Sequence, residues 1–288
     1  MSYEQFVLAN EPAVRLGCFL GVFAAVGLWE VAAPRRELTV SKALRWASNL
    51  GIVILNTALL RLLFPMAAVG VAAFCAANGW GLLNHYQLPF AFAVPLAVIA
   101  MDFVIWLQHV MVHAVPALWR LHRVHHADLD YDVTTGARFH PIEIVLSMLI
   151  KFATIIVLGP PVVAVVIFEV LLNATAMFNH GNISVPVALD RVLRWFVVTP
   201  DMHRVHHSIE DDEANSNFGF NLPWWDRLFG TYRDQPRAGH AAMTIGIRDH
   251  RNPREVAHLP GMLLLPFRGE VTDYAINRRN FSGEAERR

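Results

Sequence analysis

The sequence is poor in charge and in cysteine. Only 17% of its 288 residues are Asp, Glu, Lys or Arg, whereas an average soluble domain has about 25%. The formal net charge is zero, so the chain lacks the basic field that binds nucleic acid, and no nucleic-acid partner is expected. Two cysteines exclude a disulfide framework and a cysteine-based zinc ribbon. Because 55% of the residues are hydrophobic, the composition favours one unit embedded in a membrane.

Apolar stretches of about 20 residues, the length that crosses a bilayer, recur along the chain. We predict spans at about Ala13–Ala33, Leu50–Ala68 and Leu88–Gln108. The segment Met66–Trp80 either extends the second span or is re-entrant. The first apolar run lacks the basic residues that precede the core of a secretory signal, so we expect it to be retained as a span.

A further apolar block, about Ile144–Phe178, is divided by Gly159-Pro160-Pro161. A proline pair after a glycine ends a helix, and each half is short for a full span. We therefore predict a helical hairpin that returns to the side it left. The segments before and after the hairpin then share one face, and the bias of basic residues places that face in the cytoplasm.

Fourteen histidines are the most unusual feature of the composition, and nine of them form four clusters. His109 and His113 form an HxxxH motif, and His180 lies alone in a polar turn. Two HxxHH motifs complete the set, with the members His122, His125, His126, His203, His206 and His207. Positions three and four residues apart share one face of a helix, so we expect each motif to point its imidazoles at one spot. Chance would give only about 0.03 copies of HxxHH, which makes two copies a strong indication of a metal site.

Nine neutral imidazoles exceed the ligands of one tetrahedral ion, so we predict two metal ions. All nine residues are predicted as ligands and as the catalytic set, and His140 is a further candidate ligand. The spacing leaves the metal open, because imidazole suits zinc, copper, iron and nickel alike. The chain has neither the HExxH motif of zinc proteases nor a glycine-rich dinucleotide loop.

Metal-bound histidines usually donate their second N–H to a carboxylate or a carbonyl. Five carboxylates lie near the histidines in sequence and are candidates for this role: Asp102, Asp128, Asp132, Glu143 and Asp201. For Asp128 and Asp132 we favour turn chemistry and helix capping. The remaining single histidines, among them His240 and His250, are expected at the surface.

The order of these motifs resembles the fatty acid hydroxylase/sterol desaturase superfamily of membrane di-iron enzymes. Flanking segments strengthen the resemblance, which covers about Leu88–Arg233, at Leu121–His126, Arg138–Glu143 and Trp225–Tyr232. It implies two iron ions, molecular oxygen as co-substrate, an external electron donor, and hydroxylation or desaturation of a lipid C–H bond. It also implies a metal centre on the cytoplasmic face.

The expected fold class is all-α: a multi-span helical membrane protein with a histidine-rich cytoplasmic helical cap that holds a dimetal centre. We expect an N-terminal transmembrane region over residues 1–87, a dimetal domain over 88–235 and a C-terminal cytoplasmic tail over 236–288. The end of that tail, Asp273–Arg288, is expected to be solvated.

The predicted function is an oxygen-dependent lipid hydroxylase or desaturase, located in a bacterial inner membrane. The lipid stays open among sterols, fatty acyl chains and related compounds. A separate protein of ferredoxin or cytochrome type is expected to supply electrons, because the remaining length leaves no room for a fused donor domain. A membrane metallohydrolase would need a carboxylate base beside the metal, and a metal transporter would need ligands along a path through several spans. Neither pattern is evident, and both remain the alternatives.

Overall fold

The computed structural model describes residues 3–271, and this part of the chain is helical without a single β-strand. The expected all-α class is confirmed. The first part of the described chain contains α1 (Tyr3–Ala9), α2 (Glu11–Ala32), α3 (Lys42–Leu63), α4 (Ala68–Asn78), α5 (Leu82–His85), α6 (Phe90–Ala114), α7 (Pro116–His126), α8 (Pro141–Leu158) and α9 (Val162–Asn179). The helices that follow are all short: α10 (Val187–Leu193), α11 (Pro200–His206), α12 (Asp211–Ala214), α13 (Trp224–Leu228), α14 (Gly239–Ala242), α15 (Pro253–Val256) and α16 (Leu259–Leu264).

Five stretches of the described chain are long and apolar enough to cross a membrane: α2, the α3–α5 stretch, α6, α8 and α9. Each predicted span corresponds to a helix, but the extents differ. Helix α3 covers Lys42–Leu63, so it begins before Leu50 and ends before Ala68. The two halves of the predicted hairpin, expected to be short for a full span, are 18-residue helices that are long enough to cross a membrane. Helix α6 does not end near Gln108 but continues to Ala114. His109 and His113 therefore belong to the same helix as the span, on its last two turns. The membrane-embedded helix itself carries the first histidine motif.

The predicted hairpin is confirmed as α8 and α9, separated by three residues. Gly159 has a left-handed backbone with φ +59°, which glycine adopts without the steric cost of a side chain. A side chain at Gly159 would also come within 2.3 Å of the carbonyl oxygen of Trp80. Helix α2 packs along α9, and α4 packs against both arms of the hairpin.

The segment Met66–Trp80 forms a helix of its own. Helix α3 ends at Leu63, just before Pro65, and α4 begins at Ala68. Proline lacks an amide hydrogen and disfavours helix in the residue before it. The break therefore falls where the sequence places the proline, and α4 is not a continuation of the second span.

The short helices and α7 form a cap over one end of the long helices. Its largest apolar cluster joins Ile52 of α3 and Trp119 of α7 to Val256, Met262 and Leu265 near the C-terminal end of the described chain. Residues 239–267 thus pack against the helix that carries the first HxxHH motif. The boundary between residues 235 and 236 stays a prediction, and Asp273–Arg288 lies outside the described residues.

A buried ion-pair network holds α3 to the loop that follows α7. Arg45 donates to Asp128 at 2.7 Å and to Asp132 at 2.5 Å, and all three side chains are excluded from solvent. Asp132 also accepts hydrogen bonds from the backbone and hydroxyl of Thr134, so its expected turn role is present beside the ion pair. Burial raises the pKa of Asp128, but the guanidinium of Arg45 outweighs it and lowers that pKa below its usual range.

We predict that Arg45→Ala destabilises the protein strongly, because it removes the arginine partner of buried Asp132 and leaves buried Asp128 with only the more distant Arg138, at 3.9 Å. Breaking a buried pair in this way costs about 3–5 kcal/mol. The thermal midpoint of the detergent-solubilised protein should fall clearly below that of the wild type. Arg61→Ala, which removes an exposed arginine from the same helix, is the control and should leave the midpoint within a degree or two. An unchanged midpoint for Arg45→Ala would contradict the role of the network.

Candidate metal centre

Four helices bring the nine predicted histidines to one place at the end of the spans. Helix α6 carries the HxxxH motif, α7 the first HxxHH motif, and α11 the second. His180 is the C-terminal cap of α9, and His207 is the C-terminal cap of α11. Helices α7 and α11 each begin with a proline, whose fixed φ suits the first helical position. All nine side chains are buried.

The nine imidazoles form two groups, and within each group the nearest ligand atoms lie within 4.8 Å of one another. The first group is His109, His113, His122, His126 and His206. The second group is His125, His180, His203 and His207. All nine predicted histidines thus belong to one group or the other, and their binding of two metal ions stays a prediction.

The expectation that each motif points at one spot holds for HxxxH, because His109 and His113 share the first group. It is wrong for the two HxxHH motifs, because each is divided between the groups. His122 and His126 belong to the first group, whereas His125 belongs to the second. In the other motif His203 and His207 share the second group, and His206 belongs to the first. On a helix the residue at i+4 lies about 40° to one side of residue i, and the residue at i+3 lies about 60° to the other side. Residues at i and i+4 thus share a group, and the residue at i+3 reaches the neighbouring one.

The spacing of the ring nitrogens fits a bound metal ion. In the first group the Nε2 atoms of His109 and His122 are 3.2 Å apart. In the second group Nε2 of His180 lies 3.2 Å from Nε2 of both His125 and His203. Two nitrogens at about 2.0–2.1 Å from one ion are about 2.8–3.0 Å apart at octahedral angles and about 3.3–3.4 Å apart at tetrahedral angles. The Nε2 atoms of His206 and His207 are buried without a hydrogen-bond partner in the described chain, as free ligand atoms would be.

Hydrogen bonds at the opposite nitrogen orient most of the first group and one ring of the second. Five Nδ1 atoms lie at hydrogen-bond distance from an oxygen: His109 from Phe218 O (2.7 Å), His113 from Asn215 Oδ1 (3.2 Å), His122 from Glu143 Oε1 (2.6 Å), His180 from Ala176 O (2.7 Å) and His206 from Ser216 O (2.7 Å). A neutral imidazole that donates from Nδ1 has its lone pair on Nε2. These contacts therefore aim the free lone pairs at the centre of each group.

Electrostatics keep the cap histidines neutral. Burial, followed by the neighbouring imidazoles, lowers the pKa of His125, His126, His203 and His207 well below the usual value. Burial also lowers the pKa of His180 to about 3. Neutral imidazole is the form that binds metal, so the site presents its ligands ready for an ion at physiological pH.

Glu143 is the candidate carboxylate that meets a histidine of the two groups. Asp102 instead accepts a hydrogen bond from Nε1 of Trp225 at 2.8 Å. Asp201 pairs with Arg35 at 3.1 Å and with Arg204. The separation of these carboxylates from the histidines follows from long-range packing, which sequence proximity does not reveal.

His140, predicted as a candidate ligand, lies outside both groups. Its Nδ1 accepts a hydrogen bond from the backbone amide of Ile142 at 3.2 Å, which makes it the N-terminal cap of α8. A ring engaged in capping points along the helix start and not into the cluster. His240 and His250 were expected at the surface but are buried. They lie 3.5 Å from Asp201 and 3.6 Å from Glu255, respectively.

The fold and the site define a class: a helical protein with apolar, membrane-length helices and a buried histidine cluster able to bind metal. Residues 94–231 match the fatty acid hydroxylase family. The predicted resemblance to the fatty acid hydroxylase superfamily is thus confirmed.

Several characterised relatives carry the same segment. The chain is 30% identical over 188 residues to an ornithine lipid hydroxylase from Rhizobium tropici, covering 64% of this chain and 54% of the relative. It is 27% identical over 191 residues to an alkylglycerol monooxygenase from Xenopus tropicalis, covering 64% and 41%. The human alkylglycerol monooxygenase is 28% identical over 141 residues, covering 47% and 29%. The chain thus spans about half or less of the length of these relatives. No solved structure matches it.

We predict that His206→Ala and His207→Ala each remove one metal ion, although the two residues are neighbours in sequence. His206 belongs to the first group and His207 to the second, so each substitution should leave the other site loaded. Metal per chain, measured on purified protein by mass spectrometry, should fall from two to about one in both variants. His258→Ala removes an exposed histidine and should keep the wild-type content. Retention of two ions in either variant would contradict the assignment.

We predict that Glu143→Ala weakens metal binding about 10–100-fold, the usual effect of removing a carboxylate that orients a ligand histidine. Glu143→Gln keeps an oxygen that accepts from Nδ1 of His122, so its loss should be smaller. The dissociation constant is measured by competition with a chelator. Equal affinities for the alanine variant and the wild type would show that Glu143 does not orient His122.

Proposed function

We propose that the protein is a di-iron monooxygenase that hydroxylates a C–H bond of a membrane lipid with molecular oxygen. The observation that carries this proposal is the pair of buried histidine groups at the end of apolar, membrane-length helices. The relatives' names, which describe lipid hydroxylation and monooxygenation, support hydroxylation over desaturation. Bound iron supplies the oxidation of an unactivated C–H bond, which no side chain can perform.

The chain's own residues hold the ions and exclude water. The first group offers five imidazoles and the second four, and none of the nine rings is exposed. Phe139 stacks on His125 with ring centroids 4.5 Å apart, and Phe220 lies 5.0 Å from His109. These apolar rings give the site a dry wall. Such a wall protects a strong oxidant from side reactions and suits an apolar substrate.

An exposed apolar surface beside α6 supports a lipid that enters from the bilayer. Helix α13 docks on α6 through the hydrogen bond from Trp225 to Asp102 and through Phe229 stacked on Trp106 at 4.7 Å. Asp102 and Trp106 precede His109 by seven and three residues, or about 10 and 5 Å along the helix. The exposed side chains of this surface are Val187, Val192, Trp195, Phe196, Leu228 and Phe229. Acyl chains at this depth would lie next to the metal centre.

The proposed location of the protein in a bacterial inner membrane and its proposed electron-donor partner are supported by charge and composition. Basic residues after α2 favour a cytoplasmic position for the cap, and the presence of a bacterial relative supports a bacterial inner membrane. A separate ferredoxin or cytochrome would supply electrons. The sequence has two cysteines, whereas a ferredoxin-type cluster takes four cysteine ligands, so these 288 residues alone do not form a ferredoxin-type cluster.

The two alternatives lack a supporting observation. A metallohydrolase needs a carboxylate base beside a metal-bound water. The two groups consist of histidines alone, and the nearby Glu143 is engaged with His122. A transporter needs ligands spread along a path through the membrane, but the nine histidines converge at one end of the spans.

The test is incubation of the purified, iron-loaded protein with a bacterial lipid extract, a reductant, an electron-donor protein and ¹⁸O₂. We expect a lipid product that gains one labelled oxygen atom, detected by mass spectrometry. His203→Ala should abolish the product, and the exposed-site variant His258→Ala should keep it. Unlabelled oxygen in the product would indicate hydration or hydrolysis and contradict the proposal. A new double bond without added oxygen would show that the protein desaturates its lipid substrate and does not hydroxylate it.

A further inference from the structure

A segment without any predicted ligand contacts three of the five histidines of the first group. The side-chain oxygen of Asn215 accepts a hydrogen bond from Nδ1 of His113. In the same segment, the backbone carbonyls of Ser216 and Phe218 accept from Nδ1 of His206 and of His109, respectively. Backbone carbonyls leave no signature in the sequence, so motif analysis missed this segment. We name residues 215–218 the orienting loop.

The side chain of Asn217 in the orienting loop bonds to Met202 and Arg233 and not to the histidines. The φ of Asn217 is +52°, in the left-handed region that asparagine adopts more readily than most residues. This single left-handed residue lies between the two carbonyls that accept from histidines. The reversal of the backbone at Asn217 therefore allows the carbonyls on either side of it, Ser216 and Phe218, to serve one cluster.

The side chain of Asn217 fastens the loop to the rest of the site. Its amide nitrogen donates to the carbonyls of Met202 at 2.9 Å and of Arg233 at 2.8 Å. Its amide oxygen accepts from the backbone N–H of Arg233 at 2.8 Å. The side chain is fully buried. Met202 belongs to α11 and directly precedes His203, so the loop is held to a helix that carries ligands.

Asp226 fastens the other end of the loop. Its carboxylate accepts from the backbone amides of Phe218 at 2.9 Å and of Gly219 at 2.8 Å. It also accepts from Nε1 of Trp106 at 3.1 Å. Trp106 lies on α6, three residues before His109. The orienting loop is thus tied to both α6 and α11, the helices whose histidines it contacts.

We propose that Asn217 is a positioning residue for the first metal group. It holds the carbonyls of Ser216 and Phe218 at hydrogen-bond distance from His206 and His109, which fixes the tautomer and direction of both rings. In the second group the acceptor lies outside the orienting loop: Nδ1 of His180 donates to the backbone carbonyl of Ala176. Loss of the Asn217 side chain therefore weakens the first site selectively. This inference rests on the proposed metal centre.

The first experiment measures iron affinity in the full-length protein carrying Asn217→Gly. Glycine adopts the left-handed backbone without strain, so this variant removes the side-chain hydrogen bonds and keeps the turn. We expect one of the two sites to weaken about 10–100-fold in competition with a chelator, while the other keeps its affinity. Asn49→Ala is the matched control, since it removes a buried asparagine whose hydrogen bonds go to Asp128, Thr134 and Arg138 and not to the orienting loop. It should leave both sites unchanged.

The second experiment identifies which site is weakened. In a His207→Ala background the first group alone binds metal, so Asn217→Gly should remove the remaining ion. In a His206→Ala background the second group alone remains, and Asn217→Gly should leave its affinity unchanged. Interacting positions depart from additivity in such cycles, whereas independent ones add. The effect of Asn217 should therefore depend on which histidine is absent.

Three results would overturn the proposal: two sites with wild-type affinity in Asn217→Gly, equal weakening of both sites, or equal effects in both backgrounds. If Asn217→Gly does not fold, Asn217→Asp decides, because its carboxylate still accepts from Arg233 N–H but does not donate to Met202. The same selective loss is then expected, and its absence overturns the proposal. A wild-type protein without bound metal would instead contradict the proposed function itself.

Discussion

The structure depends on burying nine imidazoles together in a site without solvent. A buried polar atom without a partner costs about 1–3 kcal/mol, so every ring nitrogen needs an acceptor or a cation. The protein meets this need on the outer side of five rings with backbone carbonyls, one amide oxygen and one carboxylate. Inner nitrogens of neighbouring rings lie about 3.2 Å apart, where a shared cation would satisfy them. Helices α6, α7, α9 and α11 are arranged around this requirement.

The two HxxHH motifs connect the groups because a helical turn has 3.6 residues. Steps of three and four residues diverge to opposite sides of the first histidine, so one helix supplies both sites. Helix α7 gives two ligands to the first group and one to the second, and α11 does the reverse. The motif would thus allow one helix to contribute ligands to two neighbouring ions.

Much of the architecture could be predicted from the sequence, because hydrophobic length and proline positions act locally. The spans, the α8–α9 hairpin and all nine histidines follow from such local signals. The division of each HxxHH motif between two groups could not be predicted from local signals, since it depends on how four helices converge. The same holds for the burial of His240 and for the pairing of Asp128 and Asp132 with Arg45, where the partners are more than 80 residues apart. Long-range packing decides these contacts, and no short pattern records it.

The two groups orient their rings by different interactions. In the first group most rings donate to oxygens. In the second, the Nδ1 atoms of His125, His203 and His207 have no hydrogen-bond partner within residues 3–271, and these rings stack instead. His125 stacks on Phe139 and His207 on His126, each with centroids 4.5 Å apart. Stacking fixes the plane of a ring but not its tautomer, whereas a hydrogen bond fixes both. The first group is therefore the one whose ligand geometry depends on directional contacts, and most of those contacts come from a loop that binds no metal.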